Sequence, residues 1–464
     1  MTILSVIVIV LLIYGINKRK SVDIFIYITA LAIAFESMMS VGDFLKLGSF
    51  RLGYSEFLIL IDVIFAITIF SKNNISKKIF FGGLGLIVSC IFSLLVQLVI
   101  PYEGAVISEA AAWDAYYFHG IPPTQISIGF AHIKELIHLL IYIIILSLYF
   151  ILPYKTKYRL LHKSYAFEKV FIWYGIFEVI LVKFFNQQSL LKTIIKGLVG
   201  DSYLSSAENV SLGVGSRLQG LKSEPSMYAI ALLMFIFLAV ILYYKDRKKE
   251  YIIYSAIAFF LLIFSLSFNG IVCLFLLLMF GVIKKYQTMG KRTKYLVIFC
   301  FLLIIPIITQ TYYYLYETEF DVYYLKRIHL ALINMDDLSI TGWKGDDAFA
   351  LYDGSTAVRL VSMLGTFEYF IERPWLGLAL GSTYGHSSYA TILSSIGVIG
   401  WFFWAKFTFF CFANKTLSYY IAFVVWSLFL CVGGVGLFQF YGVENIVVVS
   451  FFKTLYVDNT KIDS

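Results

Sequence analysis

The sequence predicts an all-α, polytopic membrane protein of about 12–13 transmembrane helices. Three observations predict it. Apolar blocks of about 16–25 residues recur along the whole chain of 464 residues, each long enough to cross or nearly cross a bilayer as a helix. The chain is 60% hydrophobic and only 14% charged, where a soluble domain carries about 25% charged residues. Its basic residues gather in short segments between the apolar blocks, where they set orientation.

The first block, 2–17, is followed by Lys18-Arg19-Lys20. A secretory signal places its positive residues before the apolar run and a small-residue cleavage site after it. Here the order is reversed, so the block reads as an uncleaved span with its N-terminus outside. Further spans are expected at 22–38, 55–71, 79–100, 133–153 and 168–187. They continue at 225–244, 251–266, 270–284, 294–313, 387–412 and 417–438, with a short one at 445–457. Alternating crossings place all the basic segments on one side: Lys72 to Lys78, Lys155 to Lys163, Lys245 to Lys249, and Lys284 to Lys294. By the positive-inside rule that side is cytoplasmic. The opposite loop at 101–131 contains no Lys or Arg.

Residues 251–283 form an almost unbroken apolar run, about 50 Å as one helix, against a hydrocarbon core of about 30 Å. Both flanks are basic, so an even number of crossings must separate them. Ser265-Leu266-Ser267-Phe268-Asn269-Gly270 then forms an outer hairpin turn, with Asn-Gly supplying the bend. The formal charge of +8 is distributed as an orientation signal and does not point to nucleic acid. Cys90, Cys273, Cys300, Cys411 and Cys431 all fall in apolar blocks, which excludes a disulfide framework or a CxxC metal site.

The whole chain, 1–464, reads as one integral membrane domain. Three segments lie outside: 101–131, 188–224 and 314–386, the last a large loop of short helices resting on the membrane domain. Within it, 355–372 puts Val358, Val361, Leu364 and Ile371 on one helical face and Arg359, Ser362, Thr366 and Tyr369 on another, as in an interfacial helix.

Charged and polar residues then single themselves out. Arg217, Lys222 and Glu224 stand at the mouth of the span at 225–244, in SRLQGLKSEPSMYA. Pro225 suits the first helical turn and Ser223 its N-cap, with Glu224 favoured by the helix dipole. An ordinary cap beside lipid headgroups uses the same residues. Arg359 fits a lipid anchor as well as a ligand for an anion. After it come Glu372-Arg373-Pro374-Trp375-Leu376-Gly377-Leu378-Ala379-Leu380-Gly381 and His386. These glycines suit either a close backbone approach to substrate or a plain turn. His132, Glu135 and His138 recur at three-residue spacing on one side of the span at 133–153. They are not an HExxH arrangement and have no second ExxH partner, so they read as a polar face lining a cavity, with metal binding as the other reading. Glu178 and Lys183 are expected to face the bundle interior, because charge in lipid costs about 2.5–3.5 kcal/mol.

In chain order these pieces resemble the superfamily of O-antigen polymerases (Wzy-type) and O-antigen ligases. Arg217-Leu218-Gln219-Gly220-Leu221-Lys222-Ser223-Glu224-Pro225-Ser226 resembles the family's "R…G…SEPS" opening of a central span. Ser265 to Gly270 is similar to its "S-x-S-x-x-G" hairpin, with Phe268-Asn269 in place of the frequent Arg-Ser or Lys-Ser. The large late outer loop ends in Arg359…Pro374-Trp375-Leu376-Gly377-Leu378-Ala379-Leu380-Gly381…His386, resembling "R…P-x-x-G-x-G…H-N", with Ser387 in place of Asn. The likeness spans roughly 210–405.

The resemblance implies a GT-C-type glycosyltransferase fold in the bacterial cytoplasmic (inner) membrane, with the active site facing the periplasm. It implies an enzyme that joins undecaprenyl-diphosphate-linked repeat units into O-antigen of lipopolysaccharide or a related surface polysaccharide. Transfer would be inverting and metal-independent, with no cofactor. Arg217 and Arg359 would hold the departing pyrophosphate, and Glu224 or His386 would take the acceptor proton. Lys222, Tyr228, Arg373, His132 and Glu135 are secondary candidates. Lipid-linked donor and acceptor glycans and membrane lipids are the implied partners, a chain-length regulator is a further candidate, and nucleic acid is not expected. The near alternative is the ligase, which moves the finished chain onto lipid A core. The SEPS stretch and the acidic outer loop (Asp336, Asp337, Asp346, Asp347) favour the polymerase. A lipid-linked sugar flippase is the alternative from another class, disfavoured by the lack of internal repeat symmetry.

Overall fold

The computed structural model describes residues 2–17, 20–39, 43–47, 50–70, 77–107, 124–199, 218, 220–222, 225–265, 267, 270, 274, 290, 354–383, 385 and 387–407. The spans expected at 270–284, 294–313, 417–438 and 445–457, and the Asn-Gly bend at 269–270, lie wholly or mainly outside the described residues. So does most of the 314–386 loop.

The described chain is helical apart from two small hairpins. Its helices are α1 (Ile3–Ile16), α2 (Ser21–Met38), α3 (Tyr54–Phe70), α4 (Lys77–Val99), α5 (Phe130–Ile151) and α6 (Tyr154–Val179). They continue with α7 (Gln188–Val199), α8 (Pro225–Asp246), α9 (Lys249–Phe264), α10 (Gly354–Glu372) and α11 (Ser388–Ala405). Among the described residues, four helical stretches are long and apolar enough to cross a membrane: Ser21–Met38, Phe80–Val99, His132–Tyr149 and Ser226–Tyr243. Ile3–Ile16 and Tyr389–Ala405 are shorter apolar helices. This is an all-α membrane architecture.

Burial separates the centre of the bundle from its rim. In α2, 83% of the apolar stretch is buried within the protein, against 39% in α4. Helix α2 packs between α3 and α6, and its residues from Ile24 to Met38 are buried all round, as a helix with no face to solvent or lipid must be. On α4, Phe81, Val88, Phe92 and Leu95 form an exposed apolar stripe, suited to lipid. Asp62, wholly buried midway along α3, accepts a 2.6 Å hydrogen bond from the Thr29 hydroxyl of α2, so a polar pair links the two central helices.

Polar contacts define the two ends. At one end, Arg159 of α6 meets Asp23 at the start of α2 at 2.7 Å, and Lys169 meets Glu250 of α9 at 2.8 Å. Asp246, at the end of α8, accepts from the Tyr158 hydroxyl and, at 2.9 Å, from that of Tyr251, and lies 3.1 Å from His162. This is the end at which the sequence reading gathers its basic segments. At the other end, Thr2 caps α1 by accepting from the Ser5 N–H, and the hydroxyls of Thr2 and Ser5 meet that of Tyr54 at the start of α3.

Two local expectations are corrected. Residues 155–163, expected as a loop, form the first turns of α6, which runs for 26 residues. The connection from α5 shrinks to Leu152 and Pro153, and proline restricts Leu152 to the extended conformation it adopts. A π-turn, Ile180–Phe184, then ends the run and carries the half-buried Lys183, while Glu178 is fully buried. The connection at 39–54 contains a hairpin, β1 (Asp43–Leu47) with β2 (Phe50–Gly53), Lys46 opposite Arg51. Phe44 of this hairpin stacks on Phe57 at 3.7 Å.

The second correction concerns α10, which matches the expected helix at 355–372 but is rotated relative to the expected interfacial pose. Ser362 and Thr366, on its polar face, are buried, whereas Ile371 is exposed. The Thr366 hydroxyl bonds to the Ser362 carbonyl within the helix, which satisfies it without water and permits its polar row to pack inward. The second hairpin, β3 (Ala105–Val106) with β4 (Thr124–Gln125), closes the 101–131 connection near α10, where the Ile107 N–H donates to the Tyr369 hydroxyl at 3.3 Å.

Candidate functional site

The segment leading into α8 is a strap tied to the ends of three helices. Leu218 donates its N–H to the Phe264 carbonyl, the last residue of α9, at 3.4 Å. The Gly220 N–H donates to Glu178 Oε2, near the end of α6, at 2.9 Å. Leu221 pairs with Met39, just past α2, and Lys222 Nζ donates to the Glu36 carbonyl in the last turn of α2 at 2.5 Å. A lysine at a helix C-terminus meets unsatisfied carbonyls and the negative end of the dipole.

The turn is shaped by a buried aromatic ring. Gly220 has φ +60°, and a Cβ there would lie 2.5 Å from the Tyr228 ring. A Cβ on Gly175 of α6 would lie 2.2 Å from the Tyr228 hydroxyl. Tyr228, in the first turn of α8 and fully buried, is therefore enclosed between two glycines. Pro225 opens α8, where its missing N–H is harmless.

A second polar region joins the 374–381 turn to α11. That helix is broken at Gly397, with φ +63° and ψ −171°. The turn supplies what the break leaves unpaired. Leu378 donates its N–H to the Ser394 carbonyl at 2.8 Å, Val398 donates to Pro374 at 2.8 Å, and Ile399 donates to Trp375 at 3.2 Å. A Cβ on Gly377 would lie 2.5 Å from the Ser394 carbonyl. The glycine that could have approached a substrate approaches α11 instead. Hydroxyls fill the seam: Ser93 donates to the Leu376 carbonyl at 2.6 Å, and Thr383 meets Ser394 at 2.7 Å.

His132 joins α5 to this turn. Its Nδ1 accepts from the Gly129 N–H at 3.2 Å, so the neutral ring carries its proton on Nε2, which faces Ser382 Oγ at 3.0 Å. Ser382 in turn donates to the Leu378 carbonyl. Glu135 lies 3.6 Å from His138. Among the described residues no three His, Cys, Asp or Glu side chains converge as a metal site would. Arg373 closes the end of α4, donating to Gln97 Oε1 at 3.1 Å, the Ile100 carbonyl at 3.0 Å and the Pro101 carbonyl at 3.1 Å. Its guanidinium also lies over the Tyr102 ring. Burial, reinforced by the neighbouring Glu372 carboxylate, raises the Tyr102 phenol above its ordinary range.

Of the sequence-predicted site residues, Lys222 and Tyr228 come together around the strap, joined by Glu178 and the Glu36 carbonyl. His132 and Arg373 both hold the 372–383 region, while Glu135 pairs along its own helix. Arg217, Glu224 and His386 lie outside the described residues. Arg359 lies on α10 three residues before Ser362 in the same helical row, and its side chain is outside the described residues. The contribution of Glu178 to the strap had one sequence signal, a carboxylate inside an apolar span. The carbonyl of Glu36 had none, because backbone acceptors leave no trace in residue type.

Comparisons with family models, with curated proteins and with solved structures return no match to this chain.

Proposed function

We propose that the chain is a polysaccharide polymerase of the Wzy type. It would join undecaprenyl-diphosphate-linked repeat units at the outer face of a bacterial cytoplasmic membrane, within a GT-C-type fold of about 12–13 spans. The observation that carries the proposal is the strap at 218–222, fixed to the ends of α2, α6 and α9 immediately before Pro225. It lies at the end of the bundle opposite the Asp246 cluster and the basic segments. There a lipid-linked pyrophosphate would present its charge and its scissile C1–O bond at headgroup level.

A hydroxyl of one lipid-linked repeat attacks the anomeric carbon of the growing chain. The C1–O bond to phosphate breaks, and undecaprenyl diphosphate departs with the electron pair. The acceptor proton passes to Glu224 or His386, as direct displacement with inversion requires. Arg217 and Arg359 supply charge that counts most as negative charge grows on the leaving group, and a guanidinium does this with two parallel hydrogen bonds. On α10 the polar row that follows Arg359, formed by Ser362 and Thr366, packs inward. It faces the turn at Gly385, where a Cβ would lie 2.5 Å from the Thr366 hydroxyl.

Deletion of the gene in its host, with surface polysaccharide resolved on gels, tests the reading. Loss of the ladder down to a single attached repeat supports a polymerase. Loss of every attached repeat points to a ligase or a flippase and overturns it.

A further inference from the structure

The geometry points to Glu178 as a positioning residue for the site at the mouth of α8, acting through the backbone of the strap; this rests on the polymerase reading above. Glu178 is 3% exposed, near the end of α6. A carboxylate so deep in an apolar bundle needs hydrogen-bond partners, and one of them is the N–H of Gly220 at 2.9 Å. Gly220 sits three residues after Arg217 and four before Glu224.

The bond is placed at a turn that only glycine fits. With φ +60° and no room for a Cβ against Tyr228, Gly220 turns its N–H into the bundle, towards the end of α6. The neighbouring ties to Phe264 and Glu36 fix the strap on either side of it. Glu178 is thus the side-chain anchor at the middle of the segment that joins Arg217 to Glu224. It touches neither substrate nor reacting atoms. Its effect is to hold the two flanking groups in register, and displacement of a catalytic group by about 1 Å costs on the order of 10²-fold in rate.

An anchor needs an acceptor oxygen, not a charge. Glu178→Gln keeps an oxygen for the Gly220 N–H, and Glu178→Ala removes it. Full-length purified protein is compared by hydrogen exchange over 216–224, and chain length by gel after complementation of the deletion host. The expected result is exchange roughly 3–10-fold faster in Glu178→Ala, with the ladder collapsed to a few repeats. Glu178→Gln should match wild type in both, at equal expression and thermal midpoint. Unchanged exchange in Glu178→Ala overturns the inference, as does a Glu178→Gln protein that folds normally but shortens the polymer as severely as Ala. Should Glu178→Ala fail to accumulate, Glu178→Gln decides by the same two measurements. Should the wild-type chain make no ladder at all, the polymerase reading fails, while strap exchange still reports whether Glu178 holds Gly220.

Discussion

Replacing Gly397 by alanine should damage the seam between the 374–381 turn and α11 more than any exposed glycine substitution. The backbone there has φ +63° and ψ −171°, a region essentially restricted to glycine that costs a substituted residue about 1–3 kcal/mol. A Cβ would also lie 2.4 Å from the Trp375 carbonyl carbon and oxygen. The obstacle is backbone, so the turn itself must move. That movement weakens the bonds from Val398 to Pro374 and from Ile399 to Trp375, each contributing about 1 kcal/mol. The sum is about 3–5 kcal/mol. The control is Gly197→Ala on α7, where no heavy atom lies within 4 Å of the new Cβ and a helical Gly→Ala change stabilises by about 0.5–1 kcal/mol. Thermal unfolding in detergent, followed by tryptophan fluorescence, should give a clearly lower midpoint for Gly397→Ala and an equal or higher one for Gly197→Ala. Equal midpoints for Gly397→Ala and wild type would refute the reasoning.

Three other outcomes are expected. On a cysteine-free background, a cysteine at position 247 should resist an impermeant reagent in intact cells while one at position 103 reacts; labelling at 247 would sink the assigned orientation. Arg217→Lys and Arg359→Lys should each lose about 10²–10³ in rate, because lysine keeps the charge without the two-pronged donor, and the double variant should be scarcely worse than either; a near-normal ladder from a well-expressed lysine variant removes that residue from the site. Burial holds the His162 imidazole below its ordinary range, with Asp246 partly opposing. Stability from neutral His162 is therefore present above about pH 6.5 and is lost as pH falls through its lower folded value. Burial raises the Asp246 carboxyl, but hydrogen bonds from Tyr158 and Tyr251 and the charges of His162 and Lys248 outweigh it and hold it low. Its contribution is present above about pH 3.9 and disappears only in stronger acid. His162→Gln should flatten the loss of thermal stability as pH falls below about 6.5; an unaltered slope contradicts this assignment.

Apolar block length and basic flanks made most described helices legible, since α1 to α5, α8 and α11 begin within a few residues of their expected starts. Where a helix continues past the membrane, those signals fail. Lys155 to Lys163 were read for sidedness alone and say nothing against helix, so α6 starts well before its apolar part. The hairpin at 43–53 carries only a short signal, Gly48-Ser49 between alternating apolar residues. The face of α10 was misjudged because polarity was equated with exposure, whereas Ser362 and Thr366 are buried and Thr366 is satisfied by its own helix. Within the candidate site, the ionisable residues were legible as residue types out of place in an apolar chain. The strap's anchors are largely backbone carbonyls, such as those of Glu36 and Phe264, and backbone partners cannot be read from side-chain identity.

The central claim is tested most directly by supplying the purified protein, reconstituted in liposomes, with the lipid-linked repeat unit extracted from its own deletion host. The account predicts that the glycan is lengthened on its lipid carrier without requiring net movement across the bilayer, and that the released lipid is undecaprenyl diphosphate. Movement of the lipid-linked repeat across the bilayer with no lengthening, or transfer only when lipid A core is supplied as acceptor, would contradict it.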